Sequence, residues 1–169
     1  MSFASGNDIA EIACMRETAD SLHSIGRTDS AAIVGEKAIR LADKIGNPTQ
    51  IVGTNAAQGV FLRSLGRIDE AMQRYETALA IITSGKFREK PDQEAIEEIA
   101  SLYINLSVLN LDMQNKDEAG RNAILAGDWV AKSNDPELKG VVYGVAGSVL
   151  TGCGDIDKAL KYQDLFGIL

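Results

Sequence analysis

Apolar residues recur at helical spacing along most of this chain. Ala57, Phe61 and Leu65 lie on one stripe, and Ala71, Tyr75, Ala78 and Leu79 on the next, with Gly or Asn between them to break the periodicity. Reading each stripe to its breaker predicts helices over 8–25, 28–45, 48–65, 68–84, 91–114, 116–133, 136–152 and 155–168. The pattern itself repeats. Residues 24–39 read SIGRTDSAAIVGEKAI and residues 64–79 read SLGRIDEAMQRYETAL, a shift of forty. Aligning 22–43 with 62–83 gives identities at Leu22/Leu62, Ser24/Ser64, Gly26/Gly66, Arg27/Arg67, Asp29/Asp69, Ala31/Ala71, Glu36/Glu76 and Ala38/Ala78. The stretches NKDEAGRNAILA (115–126) and GDIDKALKYQDLFG (154–167) place an acidic residue and then an alanine in the same order, so four units emerge around Ala31, Ala71, Ala119 and Ala159.

Proline gives an independent register, because it is tolerated in the first helical turn and breaks helices elsewhere. Pro48, Pro91 and Pro136 each fall at the start of a unit, with Asn47 and Asp135 placed to act as N-caps. Pro48 to Ala71 and Pro136 to Ala159 are each 23 residues, whereas Pro91 to Ala119 is 28. The third unit is therefore expected to have a first helix longer by more than a turn, and TSGKFREKP (83–91) to form the one long loop. Small residues at matching places, Ala19, Gly59, Ser107 and Gly147 in the first helices and the four alanines in the second, let the helices of a hairpin approach closely. The expectation is an all-α chain, an α-solenoid of four helical hairpins made of eight antiparallel helices, in a single repeat domain spanning 1–169.

The stretch GVFLRSLGRIDEAMQRYETAL (59–79) resembles the tetratricopeptide repeat, in the longer-period form found in peptide-sensing bacterial regulators and kinesin light chains. Unit three carries Gln114 and Asn115 where the others have a turn glycine, and unit four has Phe166 where an alanine is usual. The resemblance implies that the first helices line the concave face of a superhelix, which holds a peptide or a segment of a partner protein. Carried over position by position, that face comprises Ala13, Arg16, Asp20 and His23, then Gly53, Ala56, Val60 and Arg63. Units three and four add Ser101, Ile104, Asn105, Val108 and Asp112, then Val141, Gly144, Ser148 and Thr151. Such a groove is polar and charged at its N-terminal end and small and apolar towards its C-terminal end, which suits an amphipathic helix or an extended apolar segment. The carboxylate clamp known in this family is rejected, because Asp20 stands in place of the clamp's asparagine and would repel a carboxylate. Asn105 lies where related proteins bond a peptide backbone with an amide, which supplies both donor and acceptor; an asparagine bonded to its own helix is the alternative.

Charge narrows the partners. A formal net charge of −7 and the lack of any long basic block argue against nucleic acid, whose binders concentrate Lys and Arg on one face. No apolar run reaches the length of a membrane span, and MSFASGNDIAEIAC lacks the basic and apolar regions of a signal peptide. Cys14 and Cys153 stand far apart without a CxxC partner, as expected of small buried thiols in a reducing compartment, so the expected location is cytoplasmic. His23, the single histidine, has no Ser, Cys or carboxylate at catalytic spacing, and neither a metal nor a cofactor site can be assembled around it. GVVYGVAG (140–147) lacks the Lys-Ser/Thr ending of a phosphate loop. The expected function is a protein or peptide scaffold and not an enzyme. The alternative is a self-associating module, or the sensor fragment of a larger regulator. In that alternative Leu165, Phe166, Ile168 and Leu169, which no capping helix follows, pair in a homodimer, fold back or dock on further chain.

Overall fold

A computed structural model describes residues 6–87 and 91–169. Among them eight helices follow in order: α1 Gly6–Ser24, α2 Thr28–Ile45, α3 Pro48–Ser64, α4 Ile68–Thr83, α5 Gln93–Asp112, α6 Lys116–Val130, α7 Pro136–Cys153 and α8 Ile156–Gly167. The all-α fold read from the sequence holds, with no strand among the described residues. The chain divides into two compact units, Met1–Arg88 with α1 to α4 and Glu89–Leu169 with α5 to α8. Each unit holds two of the four hairpins. Within the first, α1 packs on α2, α2 on α3 and α3 on α4, and the first helices α1 and α3 also touch; the second repeats this scheme with α5 to α8.

The turns inside the four hairpins are built alike, down to single hydrogen bonds. Arg27 N donates to Leu22 O, Arg67 N to Leu62 O, Asn115 N to Asn110 O and Asp155 N to Leu150 O, all at 2.8–2.9 Å. Each closes a helix end through a residue in the left-handed region, which satisfies carbonyls the helix leaves open. That residue is Gly26, Gly66 and Gly154 in the first, second and fourth hairpins, and Gln114 at φ 61° in the third. A side chain there costs roughly 1–2 kcal/mol. Gln114→Gly is therefore expected to raise the melting temperature, by about 2–4 °C for each kcal/mol recovered in a chain of this size. A thermal melt followed by circular dichroism reads the change.

Helix starts follow the proline register with one correction. Asn47 and Asp135 cap α3 and α7 with their side chains, accepting from Gln50 N and from Glu137 N and Leu138 N. For α5 the cap is Asp92, so Pro91 lies outside the helix and not in its first turn. The helix consequently has 20 residues against 17 in α3 and 18 in α7, a smaller extension than expected. The remaining extra residues fall in the approach to it. Of the expected loop over 83–91, residues 88–90 lie outside the described residues.

The small residues are where the register puts them. Ala31, Ala71, Ala119 and Ala159 are all buried, as are Ala19, Gly59, Ser107 and Gly147. In the first unit Ala19, Ala31, Ala32 and Phe61 form a cluster, with Leu22, Val34, Ala57 and Leu65 packed against it. Gly59 is bare because the ring of Tyr75 from α4 lies where its Cβ would be; Gly127 makes the same room for Tyr162 in the second unit.

Candidate functional site

The first helices present their candidate residues unit by unit. On α1, Asp20 is exposed while Arg16 and His23 are half-buried. His23 is not a free groove residue: its Nδ1 lies 3.0 Å from Thr28 Oγ1 and its ring sits 5.3 Å from that of Phe61. Local desolvation pushes the Asp20 carboxyl up, and the electrostatic influence of Arg16 and then of His23 opposes it. On α3, Val60 and Arg63 are half-buried, but Ala56 is buried at 3% exposure. Ala56 therefore contributes packing and no open surface, a correction to its place in the expected groove.

On α5, Ile104 is likewise buried, at 6% exposure, and drops out of the accessible set for the same reason. Asn105 and Val108 are half-buried and Asp112 is exposed. Among the described residues none hydrogen-bonds the Asn105 amide, whereas the neighbouring Asn110 donates to Leu106 O of its own helix at 2.9 Å. On α7, Val141, Gly144, Ser148 and Thr151 are all exposed. The hydroxyls of Ser148 and Thr151 are bonded back to Gly144 O and Gly147 O, so this stripe offers small surface and little free polarity.

Phe166 and Leu169 fold back over Gly140 of their own hairpin, and Phe166 also covers Gly144; an added methyl on either glycine would meet them at 3.8–3.9 Å. Leu165 is half-buried, yet Phe166 and Leu169 each stay 54% exposed and Ile168 81%.

Sequence reasoning missed the polar side chains inside the first unit. Gln58, 1% exposed, donates through Nε2 to Ala32 O at 3.0 Å and to Glu36 Oε1 at 3.3 Å, and Arg74 pairs with the same Glu36 oxygen at 2.6 Å. This network ties α2, α3 and α4 together. Asn55 Oδ1, Gln58 Oε1 and the Tyr75 hydroxyl are buried without a hydrogen-bond partner. Burial pushes Tyr75 ionisation up, against the opposing charge of Arg63. In the second unit burial raises Tyr162 to about 12. The repeat register holds the one signal that could have found Gln58, because the same column carries Leu106 in α5 and Ala146 in α7.

Among the described residues no group of three or more His, Cys, Asp or Glu side chains could hold a metal ion. None of the described helices is long and apolar enough to cross a membrane. Cys14 and Cys153 are free thiols, but Cys14 is exposed and not buried as expected; Cys153, half-buried with its Sγ 3.3 Å from Lys116 O, is held above its ordinary range by burial first.

Fold and register together define a class, the all-α proteins built of stacked helical hairpins. Among solved structures the chain is similar to the crystal structure of BtubC (BKLC) from P. vanneervenii, with a TM-score of 0.68 and 21% sequence identity over 92% of this chain. The likeness takes in 61% of that chain, so the present chain spans about three fifths of its length, and at this identity it speaks for the fold alone. No family model matches the sequence, and no curated protein matches it.

Proposed function

We propose that this chain is a tetratricopeptide-type binding module, not an enzyme, and that it holds a peptide or a segment of a partner protein against its first helices. The observation that carries the reading is a row repeated in all four hairpins. One residue beyond each buried small residue (Ala19, Gly59, Ser107, Gly147) comes a solvent-accessible one: Asp20, Val60, Val108 and Ser148. Packing fixes the first of each pair and leaves the second free to take chemistry unrelated to stability, here acid, valine, valine and serine. The unpaired Asn105 amide stands beside this row with donor and acceptor both available for a peptide backbone. A cytoplasmic location belongs to the same reading, supported by the two free thiols.

Selection from an immobilised peptide library tests the proposal. Peptides recovered by the wild-type chain are expected to bind Asn105→Ala and Val108→Asp more weakly by about tenfold, the equivalent of one lost hydrogen bond to a well-placed group. Helix content must stay unchanged. Normal binding by both variants would remove the assigned row.

A second reading, self-association, is favoured by one observation. Ile168, Phe166, Leu169 and Val141 are large apolar residues at least half exposed in the last hairpin, and such a patch marks interfaces more often than free surface. A two-fold pairing would close it, whereas head-to-tail contact would propagate. Light scattering across a hundredfold concentration range is expected to show dimer that Phe166→Ser or Ile168→Ser abolishes. A constant monomer would leave the fold-back over Gly140 and Gly144 as the whole role of the tail.

A further inference from the structure

Four glycines interrupt α7, and packing accounts for two of them. Gly147 is buried at the crossing with α8, and Gly152 has to be bare because a Cβ there would meet Leu111 of α5 at 3.0 Å. Gly140 and Gly144 lie towards the open side of the helix, the first half-buried and the second exposed. Among the described residues outside α7, a Cβ at either would meet only Phe166 and Leu169 within 4 Å, at 3.8–3.9 Å. That is ordinary van der Waals distance, so alanine would fit beneath the tail. Glycine inside a helix costs stability relative to alanine, and the tail does not require it. A closer approach does, such as that of a chain lying with its backbone against the helix.

The tail is held from one side. α8 ends at Gly167, and Leu169 N donates to Phe166 O at 3.3 Å, a turn that keeps both side chains over Gly140. Each of the two remains more than half exposed, and Ile168 between them more so. What they cover adjoins the accessible row. Gly144 stands one turn before Ser148, whose Oγ donates to Gly144 O at 3.1 Å, and Val141 beside it is exposed. Phe166 therefore lies across the path of a segment that runs from Ser148 towards the start of α7.

We propose that Phe166 and Leu169 form an autoinhibitory cover on the second unit, and that an extended segment of the partner takes their place with its backbone against Gly140 and Gly144. The inference rests on the peptide-binding reading above and adds the regulation of that site. A segment that binds only the uncovered form loses affinity in proportion to the fraction of chains in which the cover is closed. Once seated, it makes the contact with the helix backbone that the tail does not.

The test compares the intact wild-type chain with its Phe166→Ser/Leu169→Ser double variant. Both positions are exposed, so the variant keeps its helix content. The probe is the peptide most enriched from the immobilised library on the double variant, labelled with fluorescein and titrated by fluorescence anisotropy. It is expected to bind the double variant about tenfold more tightly than wild type, the ratio for a cover closed in about nine chains of ten. Gly144→Ala added to the double variant is expected to weaken binding about tenfold, although alanine favours the helix and raises the melting temperature. Equal affinity for wild type and double variant, with Asn105→Ala still weakening both, would overturn the cover and leave the peptide reading standing. Undiminished binding by the Gly144→Ala form would overturn the close approach, and a doubled mass of the wild type that Phe166→Ser abolishes would give the cover to a second copy. No peptide enriched on either form would remove the peptide reading and this proposal together.

Discussion

Gly59→Ala is expected to destabilise the first unit by about 1–3 kcal/mol, although alanine is the better helix former by roughly 1 kcal/mol in an exposed helix. The sign is decided by Tyr75. Its ring lies over the bare backbone of Gly59, and the added Cβ would overlap three ring atoms of a side chain that is itself fully buried. Neither partner can give way cheaply, because Tyr75 is held among buried neighbours and Gly59 sits in the middle of α3. Gly127→Ala should behave alike against Tyr162. Gly6→Ala is the control, since a Cβ there meets nothing within 4 Å. A thermodynamic cycle with Tyr75→Leu identifies the cause: if the clash is with the ring, the double variant loses much less than the sum of the single ones. Gly59→Ala melting at or above wild type would mean that the two helices are not packed through this glycine.

How much of this was legible beforehand depends on whether a position answers to local or to distant chemistry. Helix limits answer to local chemistry: the pattern predicts 28–45 and α2 runs Thr28–Ile45, because a turn glycine ends the helix before it and Gly46 the helix itself. The four turns are legible for the same reason, and Gln114 stands out in sequence as the place where the left-handed residue is not glycine. The burial of Ala56 and Ile104 was not, since a first helix packs over a wider arc than its repeat consensus shows. Nor was the tethering of His23, which takes Thr28 from the next helix and Phe61 from the next hairpin. The division into two units leaves a trace that only comparison among the repeats brings out. α2 and α6, which each pack on the following first helix of their own unit, carry Ala32 and Gly35, or Gly120 and Ala123. α4 and α8, the last helices of the units, carry Met72 and Tyr75, or Leu160 and Gln163, in the same places.

The row of key alanines makes the sharpest demand on the repeat. Ala71 is fully buried, and its N–H closes the first turn of α4 on Arg67 O at 3.0 Å, as Ala31, Ala119 and Ala159 do in theirs. Ala71→Leu adds three carbons to a crossing that already fills its space, and such overpacking typically costs about 1–3 kcal/mol. The favourable transfer of the added methyl groups, worth roughly 0.8 kcal/mol per buried carbon, is available only if a void receives them. None is offered beside a residue of zero exposure whose hairpin is already closed by Tyr75 against Gly59. The comparison variant is Ala80→Leu, on the same helix but exposed, where the same change is expected to stay within about 0.5 kcal/mol. Thermal and urea denaturation of both variants give the difference directly. Equal stability of the two would detach Ala71 from the core and, with it, the register that equates 59–79 with the other three hairpins and places the accessible row beside its buried one.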